Sequence, residues 1–161
     1  MNLEKNAQLA FFNGLATADV RLLEPFFAPQ SWVAGTLIFE QGDYADYLYL
    51  VAKGEVTIRY RPDDGPAITV TRVQPGGIFG WSAAMGHPSY TCQAICALDS
   101  EVLRIRGTDL RMLCDKHTEL GKVILARLTA VIAERKQSQQ MQVSAMLANG
   151  IHQQPKGQEQ P

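Results

Sequence analysis

Short apolar runs separated by turn residues fill the chain from Trp32 to Ile105, and this pattern constrains the fold more than any other. Within a run the side chains alternate, as in Val56, Ile58 and Tyr60, which is the period of a half-buried strand. Gly, Pro and Asp interrupt the runs at turn positions. Many short strands at turn spacing favour an antiparallel sandwich or barrel over a parallel sheet. We expect strands near residues 32–33, 37–39, 47–51, 56–60, 68–73, 92–98 and 102–105.

Helical patterns flank this region on both sides. Residues 3–12 carry apolar side chains on one face, and Gly14 is a stop signal. A second short helix is expected up to Phe27, capped by Thr17 or Asp19. The fold class is therefore α+β, an antiparallel β-jelly roll (a cupin-like double-stranded β-helix) with short N-terminal helices and a long C-terminal helix.

The C-terminal helices begin after Gly107. Thr108 is the expected N-cap of a helix over residues 109–115, and Thr118 opens a longer one. Its apolar face is broad enough to cover the barrel and a second chain. The side chains assigned to a dimer are Leu120, Ile124, Leu128 and Val131. Arg127 and Arg135 are expected to be solvated or to pair with Glu119 and Glu134.

A length of 161 residues suits one domain with a short appendage. We place the domain at residues 1–148, with the barrel at about 30–106 and the helices at about 108–148. Residues 149–161 are rich in Gln, Pro and Gly and are expected to form a disordered tail.

The formal net charge of −1 offers no basic surface for nucleic acid or an anionic membrane. The first residues contain no long apolar run, so we expect neither a signal peptide nor a membrane span. Three unpatterned cysteines, Cys92, Cys96 and Cys114, fit a reducing compartment, and we expect a cytoplasmic protein.

Residues 73–98 contain no Asp, Glu, Lys or Arg. Their beginning, Gln74 to Gly80, nevertheless has the composition of a loop that presents backbone N–H groups to an anion. The sequence therefore predicts a phosphate cradle that lacks a cation of its own.

Four local features, in order, carry a family resemblance. They are Gly42-Asp43 before an apolar strand, Lys53-Gly54-Glu55-Val56, the segment Gln74 to Gly80, and Leu103-Arg104-Ile105 before a helix. Together they resemble the cyclic nucleotide-binding domain of catabolite activator and Fnr-type regulators, over roughly residues 15–128. The resemblance implies a jelly roll whose ligand lies over a short helix, the phosphate-binding cassette.

The cassette of that family holds the ribose with a Glu and the cyclic phosphate with an Arg. Here Trp81 follows Gly80 where the Glu is expected, and the Arg position falls within Ser89, Tyr90 and Thr91. A charge-assisted hydrogen bond contributes about 1.5–3 kcal/mol, so losing both anchors weakens binding by roughly two decades or more. The resemblance thus implies a degenerate cassette. The expected pocket residues are Gly77, Phe79, Gly80, Trp81, Ser82, Ser89, Tyr90 and Thr91.

Each of these residues also has a structural interpretation. Trp81 either stacks on a planar ligand or fills the space of the missing contacts, and Ser82 either donates to an anion or caps its helix. His87 with Cys92 or Cys96 matches no metal or haem spacing, and the scattered histidines do not form a cupin metal site, so an enzyme is not expected.

Three hypotheses about function remain open. The first is a non-enzymatic regulatory module that dimerises through its long helix and acts on a protein partner. It does so without direct DNA binding, because no recognition helix or basic patch follows residue 147. The second is a genuine binder of cyclic AMP, cyclic GMP or another small molecule that uses backbone N–H groups. The third is a scaffold with a closed pocket.

Overall fold

The computed structural model describes residues 11–153. The helix expected at residues 3–12 lies almost wholly outside this range. The elements in chain order are α1 (Thr17–Leu23), a 3₁₀ turn (Glu24–Phe26), β1 (Ala28–Trp32), β2 (Leu37–Phe39), β3 (Tyr47–Lys53), β4 (Val56–Tyr60), β5 (Ile68–Val73), β6 (Ile78–Phe79), α2 (Trp81–Ala84), β7 (Gln93–Cys96), β8 (Ser100–Arg106), α3 (Gly107–Lys116) and α4 (Thr118–Gln153).

The strands form two four-stranded antiparallel sheets, in the orders β1-β8-β3-β6 and β2-β7-β4-β5. Apart from the β4–β5 hairpin, neighbouring strands in each sheet are not consecutive in the chain, as in a jelly roll. The expected α+β jelly roll with a long C-terminal helix is confirmed.

The alternation of side chains along β3 divides the core in two. Tyr49 and Val51 face the space between the two sheets, whereas Leu48 and Leu50 face the opposite side, where α1, α3 and α4 cover the first sheet. The alternation read from the sequence therefore supplies both faces of the first sheet, one packed against the second sheet and one packed against the helices.

Two expected helix caps are wrong. The N-cap of α1 is Ala16, whose side chain has no hydrogen-bonding group. The N-cap of α3 is Arg106, whose guanidinium lies 3.3 Å from Asp46 instead. The helix begins at Gly107, ahead of Thr108, because Gly107 packs directly on the Ala83 carbonyl, where any Cβ would overlap it. Neither helix start has a side-chain cap, and the start of α3 coincides with the close packing of Gly107 on Ala83.

Helix α4 is continuous from Thr118 to Gln153, which includes the boundary expected at residue 149. The rest of the expected tail, residues 154–161, lies outside the described residues. Near its C-terminal part, Met146 lies beside the β4–β5 hairpin, 3.2 Å from where a Cβ on Gly65 would be. Within residues 11–153, no helix has the length and apolar character needed to cross a bilayer.

Candidate ligand site

The turn between β5 and β6 uses its own backbone N–H groups. Gly76 donates to the Val51 carbonyl at 2.8 Å, and Gly77 donates to the Gln74 carbonyl at 2.9 Å. Gly77 in turn accepts from the Val51 N–H at 2.9 Å. A side chain on Gly77 would meet Val73 Cγ1 at 2.7 Å. These glycines therefore fasten the turn to β3, and their N–H groups are not directed at a ligand.

The cassette helix α2 follows directly after β6. Gly80 is its N-cap and has φ of +77°, a conformation that favours glycine. A Cβ on Gly80 would also lie 2.9 Å from the Tyr47 carbonyl oxygen. Ser82 is buried inside the helix and is not its cap. The short helix is thus held closely against β3.

Stacked aromatic rings occupy the space beside α2. The rings of Phe39 and Tyr90 are parallel within 11°, with centroids 3.7 Å apart. The rings of Tyr49 and Phe79 stack at 4.8 Å. The Tyr49–Phe79 separation lies in the range at which aromatic pairs stabilise a core beyond the area they bury.

The hydroxyl of Tyr90 is committed to the backbone of β3. It donates to the Tyr47 carbonyl at 2.7 Å and accepts from the Tyr47 N–H at 3.0 Å. Burial raises the pKa of Tyr90, although the hydrogen bond to Tyr47 lowers it in part. Tyr90 therefore remains a neutral phenol that locks the loop before β7 to β3.

Between these rings and α2 lies a partly open cavity of about 20 Å³, which is space for about one water molecule. It is lined by Phe39, Ile58, Phe79, Gly80, Trp81, Ser82, Tyr90, Thr91 and Cys92. Six of the eight residues expected from the sequence are in this lining. The expectation is wrong for Gly77 and Ser89, which do not line the cavity. Ser89 instead forms an isolated β-bridge with Tyr44.

Sequence reasoning missed three lining residues, Phe39, Ile58 and Cys92. Ile58 lies at an inward position of an alternating strand, so the period-2 pattern could have revealed it. Burial raises the pKa of the Cys92 thiol, although the nearby Thr91 and Arg135 lower it. His87 is exposed in the loop. Among residues 11–153, no three His, Cys, Asp or Glu side chains lie close enough together to form a metal site.

Arg135 of α4 reaches the cassette from the other side of the site. Its Nη2 donates to the Ile78 carbonyl at 2.6 Å, and its guanidinium carbon lies 5.3 Å from the centre of the Trp81 ring. Burial lowers the pKa of Arg135 to about 10, and the charge of Glu134 opposes this shift. No local motif reveals this contact, because it joins segments far apart in sequence.

The expected pairing of the α4 arginines with glutamates is wrong. Arg127 donates to the backbone carbonyls of Phe11 and Asn13. Glu119 accepts from Lys122 at 3.2 Å instead. For Arg127, the acceptors within reach are thus backbone carbonyls of the N-terminal segment rather than carboxylates of α4.

Three of the four side chains assigned to a dimer belong to this chain's own core. Leu120, Ile124 and Leu128 are buried in the helical layer, and Val131 packs against it. They cover the barrel, so they are not available to a second chain in this conformation. The exposed apolar side chains of α4 are Val123, Leu125, Met141 and Leu147. Dimerisation stays a prediction.

Comparison with known proteins places this chain in a family. The sequence model described as cyclic nucleotide-binding domain matches residues 29–117. Over 98 residues the chain is 32% identical to the cyclic AMP receptor protein of Thermus thermophilus, across 61% of this chain and 45% of that protein. The chain thus spans less than half the length of this curated relative.

Solved structures agree with the sequence match. A protein of Geobacter metallireducens, provisionally named a cyclic nucleotide-binding protein, superposes with a TM-score of 0.73 at 27% identity, over 84% of this chain and 98% of that one. The catabolite activator protein of T. thermophilus superposes with a TM-score of 0.69 at 26% identity, over 85% of this chain and 62% of that one. With its two-sheet jelly roll and its Gly80-initiated cassette helix, the chain belongs to the cyclic nucleotide-binding domain family.

Proposed function

We propose that this chain is a non-enzymatic regulatory module of the cyclic nucleotide-binding type with a degenerate cassette. The observation that carries the proposal is the small cavity of about 20 Å³, which Phe39 and Tyr90 close by stacking at 3.7 Å. No Asp, Glu, Lys or Arg occurs from Gln74 to Ala97 to anchor a ribose or a phosphate. Recognition of any ligand then depends on groups outside the cassette.

The output of the module runs through α4. Arg135 joins this helix to the Ile78 carbonyl and the face of Trp81. A ligand that enters the cavity displaces Trp81, and Arg135 transmits the displacement to α4. Such a ligand shifts the equilibrium between two arrangements only by its difference in affinity for them.

We further propose that the module acts in the cytoplasm on a protein partner and as a homodimer. The exposed apolar side chains of α4, such as Leu125 and Met141, support a contact with another chain. The three cysteines are free thiols, which supports a reducing compartment.

A scaffold without a ligand is the second candidate, and the small volume of the cavity favours it. A binder that relies on the backbone of the β5–β6 turn is less well supported, because Gly76 and Gly77 use their N–H groups within the fold. The two remaining candidates differ in whether any small molecule stabilises the chain.

A thermal melt against cyclic AMP and cyclic GMP, each up to about 1 mM, tests the proposal. A ligand present at about 100 times its Kd adds about 2.7 kcal/mol, which raises Tm by several degrees. We expect shifts near 1 °C, because the charged anchors are missing. Trp81→Ala, which enlarges the cavity, should change any shift that is detected.

A rise of several degrees at micromolar nucleotide would contradict the degenerate-cassette proposal. The complete lack of a shift with these nucleotides, in the wild type and in Trp81→Ala, would favour the scaffold.

A further inference from the structure

Two buried guanidinium nitrogens have no hydrogen-bond partner within the described part of the chain, Arg104 Nε and Arg135 Nη1. The guanidinium carbon of Arg104, on β8, lies over the Tyr47 ring, 4.0 Å from its centre. Arg135 differs because it also lines a surface groove. A buried donor without a partner is costly, and an acceptor bound in the groove would relieve that cost at Arg135.

The groove runs between α4 and the β5–β6 turn and has a volume of about 460 Å³. Its charged lining consists of Arg72 from β5, Arg127 and Arg135 from α4, and one carboxylate, that of Glu134. Three cations against one anion give a positive local potential, although the chain as a whole is slightly acidic. The groove therefore favours an anion.

Arg135 is the member of this set best placed to hold that anion. Arg127 already donates to two backbone carbonyls, and Arg72 is exposed to solvent. Within residues 11–153, Arg135 has no ion pair, and its Nη2 is bound to the Ile78 carbonyl while Nη1 is unused. A guanidinium fork offers parallel donors that fit the oxygens of a phosphate group.

We propose that Arg135 binds the phosphate group of a ligand in the groove, beside a cassette that has no cation of its own. The ligand class is a phosphate ester, and this assignment rests on the proposed function. Gly77, which sequence reasoning placed in the ligand site, lines this groove. Because Arg135 also lies over Trp81, an anion on its guanidinium alters the contact between α4 and the cassette.

The test compares the intact chain with Arg135→Gln, and with Lys136→Gln as a control that removes the same charge from an exposed neighbour on α4. The probe is inorganic phosphate at about 50 mM, set against chloride at equal ionic strength. Phosphate stabilises proteins in general, so the result is the difference between variants. With a Kd of a few millimolar, we expect a Tm increment about 3 °C larger in the wild type and in Lys136→Gln than in Arg135→Gln.

A second arm titrates cyclic AMP and uncharged adenosine into the same proteins by calorimetry. The wild type should prefer the phosphate-bearing ligand by roughly 10- to 100-fold, and Arg135→Gln should lose this preference. Arg135→Lys retains the charge without the guanidinium fork, so it should keep part of the preference for cyclic AMP over adenosine. This variant also serves if the Gln variant does not fold.

The outcomes separate the two ideas. Equal phosphate increments in all variants would overturn the Arg135 site. Equal preference for cyclic AMP in wild type and Arg135→Gln would also overturn it, while leaving a nucleotide-sensing function intact. A phosphate increment lost only in Arg135→Gln, with no nucleotide binding at all, would support the anion site and contradict the nucleotide part of the proposed function.

Discussion

Replacing Tyr90 with Phe removes only the hydroxyl that joins the cassette loop to β3 and leaves the ring stacked on Phe39. The hydroxyl makes two hydrogen bonds to Tyr47, at 2.7 Å and 3.0 Å. Each contributes about 1 kcal/mol, and the peptide groups left without a partner add to the loss. The free energy of unfolding should therefore fall by about 2–3 kcal/mol. Tm should fall by roughly 5–10 °C for a domain of this size.

Urea denaturation measures this change, with a lower midpoint and an unchanged slope as the expected signature. Tyr44→Phe is the matched control, because 74% of that side chain is exposed. Its effect should stay within about 0.5 kcal/mol of the wild type. If Tyr90→Phe were as stable as Tyr44→Phe, the hydroxyl would not hold the loop, and the reasoning that Tyr90 closes the cavity would be refuted.

Two further predictions concern the backbone of the cassette and the surface of α4. Gly80→Ala should destabilise the chain by about 2 kcal/mol more than Gly35→Ala in denaturant melts. Both glycines have positive φ, but only a Cβ at Gly80 meets the Tyr47 carbonyl oxygen, at 2.9 Å. Equal losses of stability in the two variants would show that the backbone moves to relieve the contact between the new Cβ and the Tyr47 carbonyl oxygen. A double change, Leu125→Glu with Met141→Glu, should shift sedimentation from dimer to monomer without lowering Tm by more than about 2 °C, because both side chains are exposed. An unchanged sedimentation coefficient would exclude these side chains from a dimer contact.

Most strand positions could be read from the sequence because local physics determines them, and four short motifs indicated the family. The exceptions are β1 (Ala28–Trp32), which lies mostly ahead of the expected residues 32–33, and β6 (Ile78–Phe79), which was not expected. Alternation in Val56, Ile58 and Tyr60 and the turn glycines place β4 and its neighbours correctly. The expected residues Phe79 to Ser82 line the cavity, because one short segment supplies them all.

The helix starts and the partners of α4 could not be read in this way. Gly107 starts α3 because it packs on Ala83, a contact that no capping rule contains. The period of an apolar face shows that Leu120 and Ile124 are covered, but it does not show whether by this barrel or by a second chain. Arg135 meets Trp81 only after the whole domain has folded.

The central claim is that the cassette lacks its two side-chain anchors and that this lack limits nucleotide binding. Calorimetric titration of cyclic AMP into the wild type and into Trp81→Glu/Thr91→Arg tests it directly, since both positions line the cavity. Trp81→Ala is the control for simply enlarging that cavity. The account predicts binding at least about 100-fold tighter in the double variant than in the wild type or the control. A wild type that already binds cyclic AMP as tightly as the double variant would contradict it.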